Sequence, residues 1–201
     1  MTGELESVWG FTPADAETRG RLDAAVADAA VVRAPSAVAP PSIVLAAPFG
    51  WTDGLTDTDG PRMWEKVVNS EQSRNARHRR TSTIVLVEVL GLDSAAERWG
   101  AALSLQLFVE LARELSKGIR SSDHIARVQS ARFGVLLTET DEISAINFVD
   151  RIKARCCETF DPVAKGLRLA VGWASPPVGG DLAEALRVAE ERLAEAISRE
   201  G

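Results

Sequence analysis

A chain of 201 residues with 45 % hydrophobic content can bury one sizeable core and leave a tail over. Its net charge of −6 speaks against a broad electrostatic footprint on nucleic acid, and no apolar run of about 18 residues exists to insert into a membrane. Two adjacent cysteines, Cys156 and Cys157, make neither a disulfide framework nor a metal site, and the acidic start Met1-Thr-Gly-Glu-Leu-Glu lacks the pattern of a secretory signal, so the expected location is the cytoplasm.

Residues 1–52 read as an Ala/Pro-rich, mostly disordered tail. A weak helix is expected over 14–32, with Leu22, Val26 and Ala29 or Ala30 on one face. The stretch Arg33-Ala-Pro-Ser-Ala-Val-Ala-Pro-Pro41 suits neither a helix nor a central strand. Trp9 and Trp51 lie in this tail or at its junction, as partner anchors or as groups that pack back on the domain; for Trp51 packing is expected.

From residue 53 to 201 the pattern is that of one α/β domain. Met63 to about Arg77 predicts a helix with Met63, Val67 and Val68 facing the core. Ile84-Val-Leu-Val-Glu-Val-Leu90 is a short, nearly continuous apolar run, the mark of a buried central strand. The helix around 101–119 places Leu103, Leu107, Phe108, Leu111 and Leu115 inward and Glu110, Arg113, Glu114 and Lys117 outward. A hairpin of His124–Val128 and Arg132–Leu137 follows, then a helix from Glu142 to about Cys157 capped by Thr140 or Asp141. Leu167–Ala174 predicts a further strand after a Lys165-Gly166 turn. Asp181-Leu-Ala-Glu184 has the form of a capping box opening a last helix with Leu182, Leu186, Ala189, Leu193 and Ile197 on its core face. Alternating helices and strands predict an α/β sandwich with a central mixed sheet flanked by helices.

The most informative stretch is Arg120-Ser-Ser-Asp-His-Ile-Ala-Arg-Val-Gln-Ser-Ala-Arg-Phe133, leading into the strand residues Gly134-Val-Leu-Leu137. Its D-x-x-x-R frame, followed by five residues ending in Phe, resembles the GGDEF domain of diguanylate cyclases, whose five read Gly-Gly-(Asp/Glu)-Glu-Phe. The resemblance covers about residues 53–198. Asp53-Gly-Leu-Thr56 looks like the family's opening Asp-x-Leu-Thr, and Arg62 and Trp64 fall where the family has an Arg and a Phe. Glu88 through Trp99-Gly100 keeps the spacing of its Asp-x-Asp…Tyr-Gly segment. Ala170-Val-Gly-Trp-Ala174 looks like its Ser-Ile-Gly-x-Ala strand. The fold implied is GGDEF-like, that is, nucleotide-cyclase-like.

The resemblance also implies which residues would carry the chemistry. A cyclase must hold a GTP triphosphate and divalent cations that neutralise developing phosphate charge. In the family, an Asp ending the first strand and the acidic third residue of the signature hold the metals; Glu88 and Ala131 stand there. Gln129 and Ser130 replace the Gly-Gly that lets backbone approach the nucleotide, Arg132 replaces the second acid, and Phe133 is kept. The guanine-contacting Asn and Asp correspond to Ala96 and Leu105, and a phosphate-contacting Lys corresponds to Ile197. No catalytic or metal-ligating residue, no cofactor and no enzymatic activity are expected from this degenerate signature.

What the resemblance leaves in place is an Arg-x-x-Asp inhibitory site, whose Asp stands six positions before the signature and which binds cyclic di-GMP. Arg120-Ser-Ser-Asp123 has that register, and Arg151 falls where members often add an Arg. A planar guanidinium suits phosphate or guanine O6/N7, and a carboxylate accepts from guanine N–H groups. An Asp here also serves as a plain cap, and Arg151 as a solvated helix residue. Two readings stay open: a catalytically inactive regulatory module that receives cyclic di-GMP, or a protein-interaction scaffold that binds no nucleotide. A protein partner is expected under both, and a homodimer is compatible with either.

Overall fold

The computed structural model describes residues 45–160 and 166–200. Two short strands, β1 (Thr52–Asp53) and β2 (Thr58–Asp59), lead into helix α1 (Pro61–His78) and the long strand β3 (Thr83–Leu90). Helices α2 (Leu92–Trp99) and α3 (Ala101–Lys117) follow, then the hairpin strands β4 (His124–Gln129) and β5 (Arg132–Leu137). Helix α4 (Glu142–Phe160), strand β6 (Arg168–Ala174) and helix α5 (Leu182–Glu200) complete the chain. The sheet runs β1-β2-β4-β5-β3-β6; the β2–β4 pair is parallel and the other pairs are antiparallel. This is the expected mixed sheet flanked by helices.

β3 is the axis because both of its faces are apolar. Val85, Val87 and Val89 point to one cluster, with Phe108 and Leu111 of α3 and Phe148 and Ile152 of α4. Ile84 and Leu86 point to the other, with Trp64 of α1 and Leu182, Ala189 and Leu193 of α5. Period-2 alternation therefore splits a continuous hydrophobic run between two helical layers. Phe108 and Phe133 meet with ring centroids 5.5 Å apart, and burying a side chain of that size contributes roughly 1.5–3 kcal/mol.

Several expectations shift. The sequence pattern assigned no element between the strand ending at Leu90 and the helix around 101–119, but Gly91 (φ 89°) and Gly100 (φ 95°) delimit a separate helix of eight residues there. Glu110 and Glu114 do not face out. Both are buried, Glu110 paired to Arg113 and Glu114 to Lys117 and to Arg155 of the neighbouring α4. The inward face of α1 is set by Trp64, Glu71 and Asn75, with Met63 only partly covered. Asp141, not Thr140, caps α4, its Oδ1 accepting from the Ser144 N–H at 2.8 Å. The capping box of α5 is half formed: Asp181 accepts from the Ala183 N–H, while Glu184 turns to Arg187. The expected helix over 14–32, the Ala/Pro stretch and Trp9 lie outside the described residues. Contacts with the domain begin before residue 53, since Leu45 packs on the core and Gly50 O accepts from the Arg62 N–H. Trp51 stays half exposed, with Lys66 Nζ 5.6 Å from its ring centroid.

Candidate functional site

The β4–β5 hairpin tip is held from below by Arg127. A register shift between Arg127 and Gln129 bulges β4. Beyond the bulge Gln129 still pairs with Arg132, and Ser130 and Ala131 form the tip. Arg127 Nε and Nη2 donate to Ser130 O at 3.0 and 2.8 Å, and Nη2 also donates to Ala46 O at 2.7 Å. Its Nη1 lies 3.0 and 3.2 Å from the two carboxylate oxygens of Asp53, and the guanidinium carbon stands 5.3 Å from the Phe108 ring centroid. Only 2 % of Arg127 is exposed, so this is a buried, fully engaged cation. Asp53 in turn accepts from Thr56 N–H and Oγ1. One residue thus ties the hairpin tip to the start of the domain.

Beside the tip, β5 pairs with β3 so that Arg132 lies directly across from Glu88. Cross-strand partners share a face, and Arg132 Nε donates to Glu88 Oε2 at 2.6 Å. Both side chains are about one-fifth exposed, 21 % and 20 %. Ala131 O accepts from the Val89 N–H at 3.0 Å, which seats the tip against the end of β3. An open cleft of about 580 Å³ runs between the tip and the β3–α2 loop, lined among others by Leu45, Leu90, Leu92, Asp93, Ser130 and Ala131. Among the described residues, Asp93 is the only charged group in that lining. Ala96 is fully buried within α2, Leu105 is 36 % exposed on α3, and Ile197 packs with the apolar cluster under α5.

The Arg-x-x-Asp segment forms a turn between α3 and β4. Asp123 is buried: Oδ1 accepts from the Thr138 N–H at 3.1 Å and Oδ2 from the Arg120 N–H at 3.0 Å. Thr138 Oγ1 adds a bond to Oδ1 at 3.3 Å. The capping role open to an Asp here is therefore filled. Arg120 is exposed, and its guanidinium has no hydrogen-bond or ion-pair partner among the described residues. Arg151 reaches the same turn, Nη2 donating to Gly118 O at 3.2 Å while its guanidinium lies 5.6 Å from the Phe148 ring centroid. Arg120, Asp123 and Arg151 thus converge on one corner, away from the Glu88–Arg132 pair.

Sequence reasoning placed Arg127 in a motif but did not see its work. The signal was present: an Arg in a run of otherwise inward strand residues must find a buried partner, and Asp53 opens the same domain. The Glu88–Arg132 pair had no local signal, because it depends on the β3–β5 register.

The family described as "Diguanylate cyclase, GGDEF domain" matches residues 50–200, and the chain belongs to this family. A probable diguanylate cyclase of Escherichia coli K12, DgcC, is 30 % identical over 100 residues, which are 50 % of this chain and only 27 % of that protein. Among solved structures, the diguanylate cyclase SiaD of Pseudomonas aeruginosa, in complex with its activator SiaC, superposes with a TM-score of 0.66 at 22 % identity. That match covers 75 % of this chain and 58 % of that one. The GGDEF domain of DgcB from Caulobacter crescentus, in complex with c-di-GMP, gives a TM-score of 0.67 at 13 % identity, over 76 % and 92 % of the two chains. Both structures share the fold. No helix among the described residues is long and apolar enough to cross a membrane.

Proposed function

We propose that this chain is a GGDEF domain without cyclase chemistry, serving as a regulatory module that receives cyclic di-GMP at the Arg120 corner. The observation that carries the loss of chemistry is the Glu88–Arg132 ion pair. The carboxylate positioned to hold a cation is already neutralised by a cation grafted into the signature, and Ala131 beside it supplies no ligand. Among the described residues the cleft lining holds no lysine or arginine, so a polyanionic triphosphate finds no counter-charge there. At the other corner the balance is reversed. Arg120 is unengaged and exposed, Arg151 is adjacent, and a dinucleotide with two phosphates and two guanines suits two planar guanidinium groups. Asp123 Oδ2 accepts one bond, from the Arg120 N–H, which leaves it accepting capacity for a guanine N–H.

Titration calorimetry of the full chain with cyclic di-GMP tests the receptor reading. Micromolar or tighter binding is expected. Arg120→Ala should weaken it about tenfold to a hundredfold, the value of a charge-assisted hydrogen bond at about 1.5–3 kcal/mol, with the unfolding midpoint unchanged. A folded chain that gives no heat would overturn it. The second reading, a scaffold that binds no nucleotide, is favoured by Ile143 and Ile146, which stand 74 % and 39 % exposed on the first turns of α4.

A further inference from the structure

A second cavity, sharing no lining residue with the hairpin cleft, lies between the end of α4, the start of β6 and the end of α5. Its volume is about 280 Å³ and its walls are chiefly apolar, built from Leu111, Phe160 and Leu169. Among the described residues, charge in the lining is confined to three side chains, Lys153, Arg168 and Glu200. Lys153 Nζ lies 3.3 Å from Glu200 Oε1. Arg168 is exposed, and its guanidinium has no hydrogen-bond or ion-pair partner among the described residues.

We infer that this cavity binds a small amphiphilic carboxylate, with its apolar chain against Leu111, Phe160 and Leu169 and its carboxylate held by Arg168 and Lys153. Size sets the first limit. An apolar cavity of about 150 Å³ holds the six carbons of benzene, so this one, at about 280 Å³, takes an apolar body of up to about eleven carbons. Charge sets the second. Among the described lining residues, two cations stand against one carboxylate, an excess of one positive charge that a single carboxylate balances. A cationic amphiphile would meet Arg168 and Lys153, and a neutral one would leave the Arg168 guanidinium unanswered. A dianionic head would be opposed by Glu200. Arg168 gives the carboxylate a planar two-donor partner, and Lys153 is shared between ligand and Glu200. Burial pushes the Cys156 thiol, which also lines the cavity, up to about 12, with Glu114 and Cys157 adding to the shift and Arg155 opposing it, so Cys156 adds no thiolate charge to the wall near neutral pH.

The test is titration of the full chain with octanoate, octylammonium and 1-octanol, followed by two-dimensional NMR of the backbone amides. Octanoate is expected to shift amides of α4 and β6 saturably, and the other two are expected to bind at least tenfold more weakly. Arg168→Gln should weaken octanoate about tenfold, whereas Glu200→Gln should tighten it by removing the rival carboxylate. Both substitutions fall on side chains that remain partly or largely exposed, and a thermal melt confirms that each variant is folded. Equal affinity for octanoate and octylammonium, no saturable shift in the folded chain, or unchanged octanoate affinity in Arg168→Gln would overturn the assignment.

Discussion

Replacing Arg127 with alanine is expected to cost about 3–5 kcal/mol of folding stability, the cost of stripping one partner from a buried ion pair. The guanidinium is 2 % exposed and bonds Asp53, Ser130 O and Ala46 O together. Its removal leaves the Asp53 carboxylate, 6 % exposed, with only the Thr56 N–H and hydroxyl to offset the lost solvation. Two carbonyl oxygens lose donors at the same time, and the hairpin tip loses its tether to the start of the domain. Urea unfolding measures the effect as a fall in midpoint. If the mechanism is the stranded charge, the Asp53→Ala, Arg127→Ala double variant loses less than the sum of the two singles. Additive losses, or a single-variant cost below about 1 kcal/mol, would show that the pair is not the support described above.

The second large effect is expected at Gly172, in the middle of β6. A Cβ there would stand 2.2 Å from Ala189 O and 2.4 Å from Leu193 N, both backbone atoms of α5. No side-chain rotation relieves such a contact, so Gly172→Ala must push the helix off the strand. Ala189 and Leu193, exposed by 0 % and 1 %, would lose part of their burial. Overpacking of this kind costs about 1–3 kcal/mol, and a backbone obstacle places the expectation at the upper end. Gly54→Ala is the control. Nothing lies within 4 Å of its would-be Cβ, so the change should stay within about 0.5 kcal/mol in the same urea experiment. Equal midpoints for the two variants would contradict the packing of α5 on β6.

Much of this architecture is legible in the chain because the signals are local. The unbroken Ile84–Val87 run, the apolar stripe of α3 and the Asp181 cap of α5 announce their elements within a window of a few residues. What escaped is non-local or too short. Strands of two residues, β1 and β2, carry no periodicity. Helix α2 is too brief to complete a face, and the glycines that delimit it read equally well as turns. The burial of Glu110 and Glu114 follows from where α4 lies, and Arg155 reaches Glu114 only through that packing. The same division holds for the site. The register of Arg120 and Asp123 was visible, but the bond from the Thr138 N–H that fixes Asp123 spans 15 residues and awaits the β4–β5 pairing. The pairing of Glu88 with Arg132 spans 44 residues and awaits the β3–β5 register.

The proposed loss of nucleotide cyclisation rests on a carboxylate already answered by Arg132 beside a tip that presents Ala131. The most direct test incubates the purified full chain with magnesium and GTP and follows cyclic di-GMP by chromatography. The account predicts no product above that of a protein-free control, at any protein concentration. Product formed at a rate proportional to the square of protein concentration, and abolished by Glu88→Ala, would contradict it.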